Sequence, residues 1–316
     1  MSAAAPTRDA PGPRLGKRLR RLAMGLATLT GAKPRGWFIP YRYAGETTGG
    51  AAHAAGYPAL APLFEAAEPA MRALLDAADA EAEALLAFRG AAPPAPRWEQ
   101  GWYPRLDGLA AFCLTRRLAP ARILEVGSGH STRFFAAAAD PARTRIDAVD
   151  PAPRADLSAL PGVTLHRRVV QDADPALFAN LAPGDVLAID SSHVAMPGSD
   201  VDWLVGRAIP ALPAGAFLAI HDIFLPDPYP AGWAWRGYNE QTVAAALLAG
   251  GGWRVAWSSH WAATRLSGRV AAGVAGRLPH APGAAEGALW LERLPPATAA
   301  APTSTAPTST DALPET

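Results

Sequence analysis

The chain has 316 residues, half of them hydrophobic, which is enough to bury a large core, and no stretch is long and apolar enough to span a bilayer. A formal net charge of +1 gives no general attraction to nucleic acid. The single cysteine, Cys113, excludes an internal disulfide and suits a reducing cytoplasm; it lies among apolar residues and reads as a small core residue rather than a nucleophile.

Residues 1–13 are rich in Ala, Pro and Gly and read as disordered. An N-terminal helical and aromatic extension, residues 14–97, follows. Its first part, 14–30, is a basic amphipathic helix. Arg20 and Arg21 before a short apolar run superficially resemble an export signal, but Gly25 and Thr28 interrupt the run, so a helix on the protein's own surface is the better reading. A solvated face is the default for such a helix, with contact to a membrane surface or a partner left open. Residues 36–43 are aromatic and extended, a segment that could fold over the main domain as a lid or meet a partner. Residues 59–89 have helical spacing and form one or two amphipathic helices, broken or started near Pro69. Pro93, Pro94 and Pro96 make a linker.

The main domain, residues 98–295, begins with a helix at 103–118. Strands then read at 122–126, 144–150, 163–170, 185–190, 216–221, 253–259 and 288–292, with helices at 131–139, 174–181, 199–209 and 239–249. No clear helix separates the last two strands. Such alternation predicts a mostly parallel sheet covered by helices on both faces. Ten tryptophans, clustered at 98–102, 233–235 and 253–261, hint at an aromatic-walled site or a subunit interface. The tail, 296–316, repeats Ala-Pro-Thr-Ser-Thr and reads as disordered.

Strand ends matter most, because ligands of open α/β sheets bind outside them. The first strand carries Glu125 and runs into Gly127, Ser128 and Gly129, a turn that lets backbone approach a ligand. A dinucleotide-binding turn wants a third glycine, and Thr132 stands there instead. The following strands end at Asp150, at Gln171 and Asp172, at Asp190, and at His221 with Asp222. Each acid alone could cap the next helix, but the repetition points to a shared rim. Asp150 can accept both hydroxyls of a ribose.

An acidic residue two positions before Gly-x-Gly resembles motif I of the class I S-adenosylmethionine-dependent methyltransferases. The Ile-Asp-Ser-Ser-His run ending at His193, the His-Asp-Ile-Phe run beginning at His221, and the Phe-Ile-Pro-Tyr run beginning at Phe38 resemble a bacterial group within that class, over about residues 35–295. The resemblance implies a Rossmann-like seven-stranded sheet with an antiparallel last strand. It implies that Glu125 and the Gly127–Gly129 turn face the methionine part of the cofactor, Asp150 the ribose, and Asp172 or Gln171 the adenine, with Asp190 also at the cofactor. Related O-methyltransferases hold a divalent metal, Mg or another, at the ends of the fourth and fifth strands, here Asp190, His221 and Asp222. The usual fifth-strand pair is acidic or acid–amide, and His-Asp departs from it. Metal binding, general-base catalysis by His193 or His221, and a purely structural role weigh about equally, with Asp222 at the same rim. Glu240 could bind substrate or simply start a helix.

The expected activity is methylation of a hydroxyl on a small molecule or sugar. A nicotinamide-dependent oxidoreductase and a non-catalytic binding partner that retains the fold are the alternatives. No nucleic acid partner is expected, and a homo-oligomer is compatible with the sequence.

Overall fold

The computed structural model describes residues 15–47 and 56–296; the readings for 1–13 and for the tail beyond Pro296 lie outside the described residues. Before the sheet come α1 (Leu15–Leu29), α2 (Ala44–Thr47), α3 (Ala61–Ala80), α4 (Ala82–Ala87) and α5 (Arg105–Leu118). The alternating part comprises β1 (Arg122–Val126), α6 (His130–Ala138), β2 (Arg145–Val149), β3 (Val163–His166), α7 (Pro175–Ala179), β4 (Val186–Ile189), α8 (Asp200–Trp203), α9 (Ile209–Ala211), β5 (Phe217–Ile220), α10 (Glu240–Ala249) and β6 (Trp253–Ser258). It closes with α11 (Ser259–Arg265), α12 (Ser267–Ala272), α13 (Val274–Arg277) and β7 (Leu289–Arg293). Among the described residues no helix is long and apolar enough to cross a membrane.

The seven strands lie in the order β3-β2-β1-β4-β5-β7-β6. Neighbours from β3 through β5 are parallel, and β7 runs against both β5 and β6. The mostly parallel sheet expected from the alternation is therefore present, with the antiparallel closing strand that the resemblance implies. Every residue of β4 and β5 is buried, as an apolar run covered on both faces requires.

The order of connection reverses beside β1, and register levels the strand ends there. Val126 pairs with Val149 on one side and Ile189 on the other, and Ile189 pairs with Ile220. The residues just beyond these pairs, Gly127, Asp150, Asp190 and His221, thus leave the sheet at one height. This is where a ligand crevice forms in a doubly wound sheet.

Four local expectations are corrected. Pro69 lies inside α3, which runs unbroken through it. Pro69 is on the exposed side, while Phe64, Met71, Leu74 and Leu75 on the other side are almost fully buried, and that burial holds the helix across one missing hydrogen bond. The third strand stops at His166, whose carbonyl accepts the Asp150 N–H, and a 3-10 turn at Val170–Asp172 follows. The helix expected at 199–209 is α8, a wider π turn at Leu204–Ala208, and α9. Pro210 lies in α9, and its ring would crowd the carbonyl of the preceding helical turn, which the wider winding relieves. Finally, α11, α12 and α13 fill the segment between β6 and β7, where no helix was read. Gly273 separates α12 from α13, and Gly268 and Gly276 inside these short helices weaken their helical signal.

Cys113 is buried in the core, and burial pushes its thiol up to about 12, as befits an inert residue. Trp98, Trp257 and Trp290 are buried as well. Phe64 of α3 stacks on Trp261 of α11 with ring centroids 5.6 Å apart, joining the segment before the sheet to the layer behind β6. Phe64→Ala should lower unfolding stability by about 3–5 kcal/mol; denaturant unfolding that shows a loss below about 1 kcal/mol would mean α3 contributes little to the core.

Candidate active site

Gly127 sets the floor of the crevice. Its φ is +80°, and a Cβ there would sit 1.9 Å from the Asp190 carbonyl oxygen, so only glycine fits. Its N–H donates to the Val149 carbonyl (3.0 Å), pinning the turn across β2. The next residue, Ser128, donates its N–H (2.7 Å) and its hydroxyl (3.1 Å) to Asp150 Oδ2, while Ala152 N donates to Oδ1 (2.7 Å).

Glu125 lies behind this turn and is almost fully buried. It accepts the hydroxyls of Ser131 and Thr132, each at 2.5 Å, and Thr132 Oγ1 also accepts the Gly129 N–H at 3.0 Å. Burial, against these hydrogen bonds, raises its pKa from 4.5 to about 8, with Asp190 and Asp150 adding repulsion. Thr132, standing where a dinucleotide turn has its third glycine, is thus committed to Glu125 and to the turn.

Above the floor is a cavity of about 430 Å³ whose wall includes Gly127, Ser128, Asp150, Gln171 and Asp190. Glu125, Gly129 and Asp172 are not on that wall. Gln171 donates to the Gly198 carbonyl (3.0 Å), and Asp172 is exposed. Residues the sequence reading missed also line the wall. Trp37 reaches it from the extension, and Trp102 stacks on His130 with centroids 5.7 Å apart and planes 5° from parallel. Burial, with Arg133, Arg97 and Arg154 nearby, lowers the His130 pKa to about 4, so its ring is neutral. The aromatic run at 36–43 and the cluster at 98–102 were the available signals for Trp37 and Trp102.

Asp190 leads from this wall into a buried chain of alternating acids and imidazoles. His193 Nδ1 lies 2.9 Å from Glu240 Oε2, and its Nε2 lies 3.3 Å from Asp190 Oδ1 and 3.4 Å from Asp222 Oδ2. His221 Nε2 lies 3.0 Å from Asp107 Oδ2, and its Nδ1 lies 3.4 Å from Asp190 Oδ1 and 3.3 Å from Asp222 Oδ1. Asp107, on α5, is completely buried and accepts the N–H groups of Gly287 (3.1 Å) and Ala288 (2.8 Å). The Tyr103 ring stacks on His221 at 4.8 Å. His193 and Asp222 both adopt left-handed backbone, with φ of +59° and +58°. Such strain clusters at functional sites.

Burial alone would lower both histidine pKa values, but the surrounding carboxylates raise both well above the ordinary value. Burial raises the pKa of Asp222 and of Glu240, and the histidines only partly offset it. Burial also disfavours ionised Asp190, yet His221 and His193 hold its carboxyl far below the usual range. The surrounding carboxylates thus favour the charged form of both rings, while the buried His221 Nδ1 makes no hydrogen bond.

Asp190, His221 and Asp222 do come together, but they do not fit a metal. Among the described residues no group of three or more His, Cys, Asp or Glu side chains is arranged to hold one.

The fold is a Rossmann-like mixed sheet whose strand ends open on this crevice. Residues 124–223 match the family model described as "Methyltransferase domain". No curated protein matches the chain. It is similar to the solved structure of cofactor-bound Rv0187 from MTB, at 18% identity over 71% of this chain and 89% of that one, with a TM-score of 0.40. An O-methyltransferase from Bacillus cereus in complex with SAH is similar at 11% identity over 71% and 91%, with a TM-score of 0.39. A 16S rRNA (adenine(1408)-N(1))-methyltransferase from Catenulisporales acidiphilia shares 16% identity over 61% and 92%, with a TM-score of 0.31.

The raised Glu125 pKa has a pH signature. The folded protein keeps this proton up to about pH 8, and the unfolded chain releases it near 4.5, so the stability it contributes is full below about pH 4.5 and is lost as pH rises through 8. Glu125→Gln should remove this component, so the melting-temperature difference between variant and native protein should grow in the variant's favour from pH 5 to 8. A difference independent of pH would show that Glu125 is ionised throughout.

Proposed function

We propose that this domain transfers a methyl group to a hydroxyl of a small acidic molecule, without a metal, with the Asp190–Asp222 pair accepting the hydroxyl's proton. The buried carboxylate–imidazole chain that opens on the cavity at Asp190 carries this reading. Four carboxylates against two imidazoles leave the chain negative even with both rings protonated, which suits a neighbouring sulfonium.

In this reading Asp150 holds the ribose, Gln171 and Asp172 serve the adenine, and the Gly127–Gly129 turn, braced by Glu125, receives the methionine part. Bound S-adenosylmethionine supplies an already activated methyl group, so the chain's own residues need only align the acceptor and take up its proton. Asp222 is the destination of that proton, because burial already raises its pKa. His193 and His221 position the pair; Glu240 and Asp107 fix their rings.

A second cavity, of about 580 Å³, supports the acidic acceptor. Arg20, Arg21, Arg35 and Arg236 line it with Trp37, Phe38 and Trp235, and it meets the first cavity at Trp37. Arg236 Nη1 lies 4.0 Å from Asp222 Oδ2, and its guanidinium covers the Trp233 ring at 3.9 Å. An acceptor with a carboxylate or phosphate on these arginines would place its hydroxyl end toward Asp222.

Two measurements test the reading. Asp150→Ala should weaken S-adenosylhomocysteine binding at least ~10-fold in calorimetry, while Asp222→Asn, which tolerates the left-handed backbone, should bind it normally and lose ~100-fold in kcat. Full turnover by Asp222→Asn removes the proton acceptor from the scheme. In a methyl-transfer assay over a panel of hydroxylated acids and their neutral amides, a chelator should not slow the reaction and Arg236→Gln should raise KM for the acids alone. Preference for the neutral compounds, or loss of rate with chelator, would refute the metal-free, acid-selective reading.

A further inference from the structure

The first helix is turned the unusual way round. Surface helices bury their apolar stripe and present the polar face to water. In α1 the side facing the body carries Arg21, Met24, Gly25 and Thr28, which border the second cavity, and Arg21 donates to the Trp235 carbonyl at 3.1 Å. Leu19, Leu22 and Leu26 lie about one helical turn apart on another side, and each is more than half exposed. The segment that follows adds Ile39 and Tyr41, also more than half exposed. An apolar surface of this kind, left open in an otherwise well-packed chain, marks an interaction site.

Charge identifies what covers it. Residues 14–43 contain eight Lys and Arg and no Asp or Glu, whereas the whole chain is only +1, so the rest is net acidic. The basic charge is thus concentrated on the segment that exposes the leucines and aromatic rings. Exposed leucines on a strongly basic segment, with Tyr41 close by, match the interface of an anionic lipid bilayer, where acyl chains take the apolar side chains and the headgroups attract the basic charge. A second copy of the chain fits less well. The helix has 15 residues, about two heptads, Gly25 interrupts it, and two copies would oppose their arginines.

We infer that α1 and residues 38–43 form an interfacial anchor that lays the protein on an anionic membrane surface without crossing it. The inference does not depend on the acceptor or on the proton path.

Flotation of the full-length protein with vesicles tests it directly. Vesicles of phosphatidylcholine containing about one third phosphatidylglycerol should carry the protein at least ~10-fold better than phosphatidylcholine alone, and high salt should weaken the binding. Leu22→Glu/Leu26→Glu should abolish flotation, and Ile39→Glu, outside the helix, should reduce it severalfold; both should keep native S-adenosylhomocysteine affinity and circular dichroism. No flotation, or equal flotation on neutral vesicles, would overturn the inference. So would a dimer in light scattering that the double leucine variant converts to monomer, which would make a second copy the occupant.

Discussion

The structure turns on a problem of charge. Four carboxylates, Asp107, Asp190, Asp222 and Glu240, are gathered at the buried ends of β4 and β5. Isolated buried carboxylates would either take up protons or destabilise the fold. Two histidines interleaved between them resolve the problem, each ring fixed by a deep acid on one side and facing the central aspartate pair on the other. The pair is thereby held in place, with Asp190 on the wall of the crevice. The left-handed backbone of His193 and Asp222 is the local cost of this arrangement.

A second constraint complements the first. The contact between Gly127 and the Asp190 carbonyl brings β1 and β4 so close that the turn cannot carry a side chain. Asp150, Gly127 and Asp190 therefore share one level, as the strand register requires. Crevice and acid chain are two views of the same strand ends, one from the cavity and one from the core.

The sheet was legible because strands covered on both faces must be continuous apolar runs bounded by turns, as β4 and β5 are. The acids at their ends were legible for the same reason, since a charge closing an apolar run is conspicuous. Other features were not. The helices between β6 and β7 are too short, and too rich in glycine, for their period to show. Asp107 was passed over because it sits in a helix and far from the glycine turn; a lone acid among Leu106, Gly108, Leu109 and Ala110 was the available signal. The metal reading failed for a different reason. Spacing brings Asp190, His221 and Asp222 together equally well as ligands or as ion pairs, and only the structure shows Glu240 and Asp107 closing on the rings from behind.

The clamp on Asp107 also bears on how the protein is made. Its carboxylate is held by the N–H groups of Gly287 and Ala288, and Arg105 beside it pairs with Glu286 at 2.9 Å. These partners immediately precede β7, the strand inserted between β5 and β6. On the ribosome the glycine turn and the first five strands emerge well before this segment. The acid beside His221 therefore stays untethered until the segment before β7 has been made, long after the strand ends that it backs.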